Sequence, residues 1–387
     1  MSYYILPKNN NIDLINPEIK NEEIDTYSSH SLFNYYKEMK TQLNNILVNE
    51  SDFSKNNLSN TLNPYEYIFS NVPGSKFSVS KLKPKSNLFY DFLEIFNTLN
   101  VLENHSNKID CIHISENYVD SIECIEILRE NVSDVNIFFE FVNEDIYNTM
   151  NDKRYDFIFY EIEDKNTYDL NTYVLNLLQV LMILLKYQSN NGECLIKISH
   201  MFHKPVIDVL YILSSIYDKV YIIKPNTSNI TTFDKYIVCK KFVLNDNKKD
   251  IYKEYYFKLA HFISNYLQKE NKNKNISTII DHEIPRYFIN KIDDINSIIG
   301  HQQLETIDQI INILKNKNKD DKIELIKKTN IQKSVNWCEK FKIPCNKFPE
   351  KANIFLPLKN EKETKNCFIF EKKNVEEFEN KEDELIH

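Results

Sequence analysis

The sequence predicts an α/β fold: a mostly parallel sheet covered by helices on both faces, with one antiparallel strand, followed by a C-terminal helical region. Three observations carry this. Between residues 86 and 242, short apolar runs of strand type alternate with segments of helical period. The last two runs, 220–223 and 235–242, are separated only by a polar loop, so the final strand returns antiparallel to its neighbour. After Phe242 the apolar residues recur at spacings of three and four.

Residues 1–74 are polar and rich in asparagine, and read as an arm with one amphipathic helix at 32–48, where Phe33, Tyr36, Met39, Leu43 and Leu47 share a face. From 75 to 245 the elements follow in order: helix 86–102, strand 108–115, helix 119–131, strand 134–142, strand 155–162 and helix 169–187. Strand 193–199 comes next, after an Asn191-Gly192 turn, then helix 205–217 and the closing strand pair. The region 246–345 is helical at 251–270, 305–317 and 322–341, and 346–387 reads as an acidic, flexible tail.

A chain of 387 residues with 42% hydrophobic content can bury a sizeable core. Its net charge of -8 means that a nucleic-acid surface would have to be a local lysine patch on an acidic body. The lysine runs 240–254 and 312–328 are interleaved with acids and read as solvated helix faces. Seven scattered cysteines without a C-x-x-C pair read as reduced thiols of an intracellular protein. His200 and His203 lack a third ligand nearby, so no metal site is expected. The longest apolar stretch, 174–185, is interrupted by Asn176 and Gln179 and is too short to span a bilayer, and no signal peptide pattern opens the chain. A cytoplasmic protein, neither secreted nor membrane-bound, is expected.

The segment "YIIKPNTSNITTFDKYIVCKKF" (221–242) resembles the end of the FtsJ-like (RrmJ-type) ribose 2'-O-methyltransferase domain, with its K-P-x-x-S-R-x-x-S-x-E-x-Y-x-V pattern. "GECLIKIS" (192–199) is similar to that family's G-G-x-F-V-I-K-x strand, and "YDFIFYEIEDKN" (155–166) to its D-L-V-x-x-D-x-A strand end. "NIQKSVNWCEKFKIP" (330–344) resembles the C-terminal segment of FtsJ-like proteins of large cytoplasmic DNA viruses. The resemblance implies a Rossmann-like fold that uses S-adenosylmethionine (SAM), with capped mRNA as substrate and other capping or transcription proteins as partners, in the host cytoplasm or virion.

It also implies a site. The family's K-D-K-E set falls on Asp91, Glu161, Lys197 and Asp234, with Lys197 handling the proton of the ribose hydroxyl and the acids orienting it. Ser115, Glu116 and Asp145 would contact SAM. Two departures stand out: an aspartate occupies the first lysine position, and the glycine loop after the first strand is "ISENYVDSI", with no glycine. Two functions therefore stay open, an RNA 2'-O-methyltransferase and a catalytically inactive protein of that fold serving as an RNA-binding or scaffolding subunit. Trp337, the sole tryptophan, reads as a core residue.

Overall fold

The computed structural model describes residues 2–10, 15–47, 63–69, 78–140, 153–162, 169–268, 274–315 and 320–346. In chain order these form β1 (Ser2–Ile5), β2 (Ile15–Lys20), α1 (His30–Leu47), a 3-10 turn (Glu66–Ile68), α2 (Leu88–Leu99), β3 (Asp110–Ile114), α3 (Tyr118–Leu128), β4 (Val135–Phe139) and β5 (Tyr155–Glu161). There follow α4 (Leu170–Tyr187), β6 (Gln188–Ile198), α5 (Lys204–Ile216), β7 (Tyr217–Lys224), β8 (Lys235–Phe242), α6 (Asp246–Tyr266), β9 (Asn275–Ile280), α7 (Arg286–Lys315) and α8 (Asp320–Lys340).

The seven-stranded sheet has the order β1-β7-β8-β6-β5-β3-β4. Strands β4, β3, β5 and β6 are mutually parallel. Their near-continuous apolar runs are what burial on both faces requires. Side-chain alternation sorts the faces: Ile158, Tyr160, Cys194, Ile196 and Ile198 enter the large core with α4 and α5. Phe157 and Phe159 point the other way and meet Phe96 and Phe92 of α2 edge to face, with ring centroids 5.5 and 4.9 Å apart. Helix α4 is long and apolar enough to cross a membrane by length and composition alone, and its Leu178, Leu181 and Ile183 are fully buried in the core.

The short return places β8 between β6 and β7, antiparallel to both. A second antiparallel strand, β1, which the sequence did not signal, extends the edge by pairing with β7 from Ser2–Lys224 to Ile5–Tyr221. Four residues are too few to display a period. The expected N-terminal arm is thus built into the fold: β2 pairs with β9, also unforeseen, in a separate two-stranded sheet. The face of α1 carrying Phe33, Tyr36, Met39 and Leu43 packs on Ile307, Ile310, Ile311 and Leu314 of α7. All described residues lie in one compact unit. The turn expected at Asn191-Gly192 is a bulge within β6, where pairing jumps from Tyr155–Gln188 to Phe157–Glu193 and Asn191 takes φ 61°. The acidic tail lies outside the described residues.

Candidate functional site

Glu161 ends β5 and Lys197 lies beside it on β6, directly paired in register on the face that α2 covers. Lys197 Nζ donates to Glu161 Oε1 at 2.6 Å. Burial alone would lower the Lys197 pKa, but Glu161, Asp234 and Asp91 together outweigh it and raise it above the ordinary lysine value. Among these groups Lys197 is a fixed cation.

Asp91 projects from the first turn of α2 and is buried. Thr227 Oγ1 donates to its Oδ1, and the Tyr236 hydroxyl donates to its Oδ2 at 3.1 Å. Burial pushes its pKa up to about 6, although the two hydroxyls and the charges of Lys197 and Lys224 pull the other way. One turn on, Glu94 is also buried and holds the loop after β7: it accepts from Asn226 N at 3.0 Å, from Asn226 Nδ2 at 3.0 Å and from the Trp337 indole at 3.0 Å.

The Lys-Pro that opens this loop has a structural role. Lys224 Nζ donates to the carbonyls of Asn229, Thr232 and Asp234 at 3.0, 2.8 and 2.8 Å, knotting the connection into a fixed shape. Burial lowers its pKa to about 8. Lys235, fully buried beside it, donates to Ser199 O at 2.7 Å, and burial lowers its pKa to about 7. With almost no glycine available, side-chain amines and hydroxyls satisfy the turn's carbonyls instead.

Asp91, Lys197 and Asp234, together with Thr227, Ser228, Asn229, Asn63, Glu66, Asn87 and Leu88, line a cleft of about 240 Å³. All four residues of the expected set are therefore brought together, Glu161 through its ion pair with Lys197. Thr227, Tyr236 and Glu94 were missed by sequence reasoning. The hydroxyl cluster of "NTS" and the i, i+3 spacing of Asp91 and Glu94 were the available signals.

The cofactor end is different. The sheet's order reverses between β3 and β5, where ligands of doubly wound sheets bind. Here Ser115 Oγ and Asn117 Nδ2 both donate to Glu161 Oε2, the latter at 3.3 Å, so side chains span the crevice from one strand end to the other. Ser115 is buried in this bridge, and Glu116 beside it is exposed. Beyond the bridge Tyr118 stacks on Phe138, with centroids 4.1 Å apart and planes within 9°. These residues do not fit a methionine moiety lying along the turn. Asp145, the residue expected at adenine, lies outside the described residues.

His200 and His203 are buried with their rings 5.2 Å apart, packed by Tyr173, Phe202 and Phe33. Among the described residues no group of three His, Cys, Asp or Glu side chains is arranged to hold a metal. Trp337 is buried, with its ring edge-on to Tyr90 and its N–H on Glu94.

No family model and no curated protein matches the chain. Among solved structures, the chain is similar to a putative hemolysin from Streptococcus thermophilus at 12% identity, over 49% of this chain and 78% of that one, with a TM-score of 0.27. A likeness that slight carries no argument about fold or function.

Proposed function

We propose that this chain is an FtsJ-like methyltransferase-fold protein that acts on RNA as a non-catalytic subunit of a transcription or capping assembly. The insertion of β8 antiparallel between β6 and β7 supports the Rossmann-like methyltransferase fold. The observation that carries the non-catalytic reading is Asp91: a buried acid, held by Thr227 and Tyr236, stands where the resemblance places the first lysine. The bridge from Ser115 and Asn117 to Glu161 supports it too, since it occupies the strand-end crevice.

One observation favours an active RNA 2'-O-methyltransferase instead. Lys197 keeps its carboxylate at 2.6 Å and shares the cleft with Asp234, an arrangement suited to orienting a hydroxyl for attack. Two measurements separate the readings: calorimetric titration with SAM, and methyl transfer to capped and uncapped RNA. The expected result is no heat and no transfer. Transfer to either RNA that Lys197→Ala abolishes would establish the enzyme.

A further inference from the structure

The segment immediately before α2 is a basic strap. Lys81, Lys83 and Lys85 are exposed, whereas Leu82 is half-buried and Pro84 buried between them. This alternation turns the apolar residues toward the protein and leaves the three lysines, two residues apart, in solvent. None of the three forms an ion pair with any described residue. Their backbone is pinned at both ends. Lys81 N donates to Pro344 O at 2.8 Å, Tyr90 OH donates to Leu82 O at 3.3 Å, and Ser86 N and Oγ donate to Asp120 at 2.9 and 2.8 Å. Glu123 of α3 accepts from Lys85 N at 3.4 Å. The strap ends at Asn87 and Leu88, which line the cleft.

We infer that the Lys81–Lys83–Lys85 strap is a phosphate track that leads the backbone of a single-stranded RNA to the cleft. The inference rests on the proposed RNA-binding function and names the surface that would serve it. A pre-ordered row of unpaired cations loses little entropy on meeting a row of phosphates, and each contact releases counterions. A membrane surface fits less well: Leu82 and Pro84 point inward, so nothing apolar stands between the lysines to enter a bilayer.

The test is fluorescence anisotropy of a labelled single-stranded oligoribonucleotide across a range of salt, with wild type, Lys81→Ala/Lys83→Ala/Lys85→Ala, and Lys249→Ala/Lys253→Ala on α6 as control. The triple variant should bind on the order of a hundredfold more weakly at 0.1 M salt, with a salt slope shallower by about two, while the control stays within about twofold. Wild-type binding with the triple variant unchanged would overturn the track and leave the RNA reading standing. No binding by the wild type at low salt would overturn both. Loss of binding to phosphatidylserine vesicles in the triple variant, with RNA affinity unchanged, would assign the strap to a membrane and overturn the track.

Discussion

Tyr236 of β8 donates its hydroxyl to Asp91 of α2 at 3.1 Å, tying the antiparallel strand to the helix that covers the sheet's second face. Thr227 reaches the other oxygen of the same carboxylate. The acid thus joins three segments, and its charge state affects all of them.

Asp91→Asn is expected to stabilise the protein at pH 8 and to lose that advantage by about pH 4. Burial holds the Asp91 pKa near 6, above its ordinary 3.8. The charged form therefore opposes folding above pH 6, and the penalty is relieved as pH falls from 6 towards 4. The linkage limit is about 3 kcal/mol, less roughly 1 kcal/mol for the acceptor that an amide nitrogen cannot supply to Tyr236. Urea unfolding of both proteins at several pH values reads the crossover. Asp91→Lys should destabilise instead, by about 3 kcal/mol or more, because it buries an ammonium close to Lys197 and Lys224, and it should gain no methyl transfer.

Lys197→Ala should cost about 3 kcal/mol of stability, since it strands the largely buried Glu161 carboxylate. Adding Glu161→Gln should recover part of that loss. A double-mutant cycle in which the two changes simply add would show that the pair contributes nothing. The raised Lys197 pKa gives the sign with pH: its contribution is complete below the ordinary lysine value of 10.5 and fades as pH rises beyond it.

The sole tryptophan reports on the carboxylate that holds the loop after β7. Trp337 donates to Glu94, whose pKa burial raises above 4.5, although the indole and the loop amides pull it down. Intrinsic fluorescence should therefore titrate with a midpoint above pH 4.5 in the wild type. Glu94→Gln should remove that transition. A titration unchanged in the variant would mean that another group is being sensed.

Acid should loosen the anchorage of α1 and α7. Residues 201–203 hold both: Tyr27 N and Ser28 N donate to Phe202 O, Asn296 Nδ2 donates to Met201 O, and Phe33 packs on His203. Burial lowers the pKa of His200 and lowers that of His203 to about 4, with nearby Lys37 and Lys235 acting in the same direction. The unfolded chain takes up these protons near pH 6.5, so stability falls as pH drops from 6.5 to 4. His200→Phe/His203→Phe should flatten the fall, by up to about 3 kcal/mol per pH unit, the limit for two protons. Equal slopes in equilibrium unfolding would rule the pair out as its source.

What the sequence determined by itself was what lies in local periodicity. The strands of the parallel half, the helices between them and the antiparallel return of 235–242 are all visible as period two, period three to four and a short loop, because burial on both sides of a sheet imposes those patterns on neighbouring residues. Glu161, Lys197, Asp234 and Asp91 were named by the family resemblance of the segments that carry them, and the periodic pattern by itself did not single them out.

Tertiary structure decided the rest. Strand β1 is too short to show a period, and β2 and β9 are separated by more than 250 residues, so only pairing reveals them. Asp91 meets Thr227 and Tyr236 across separations of 136 and 145 residues. Whether that carboxylate is a solvated helix-start acid or a buried tie between α2 and β8 depends on what the fold packs against it. The same holds for Ser115 and Asn117, ordinary turn residues until Glu161 is brought within hydrogen-bonding reach and they close the strand-end crevice. Desolvation and long-range partners set the chemistry of a polar side chain, and neither is written in the residues beside it.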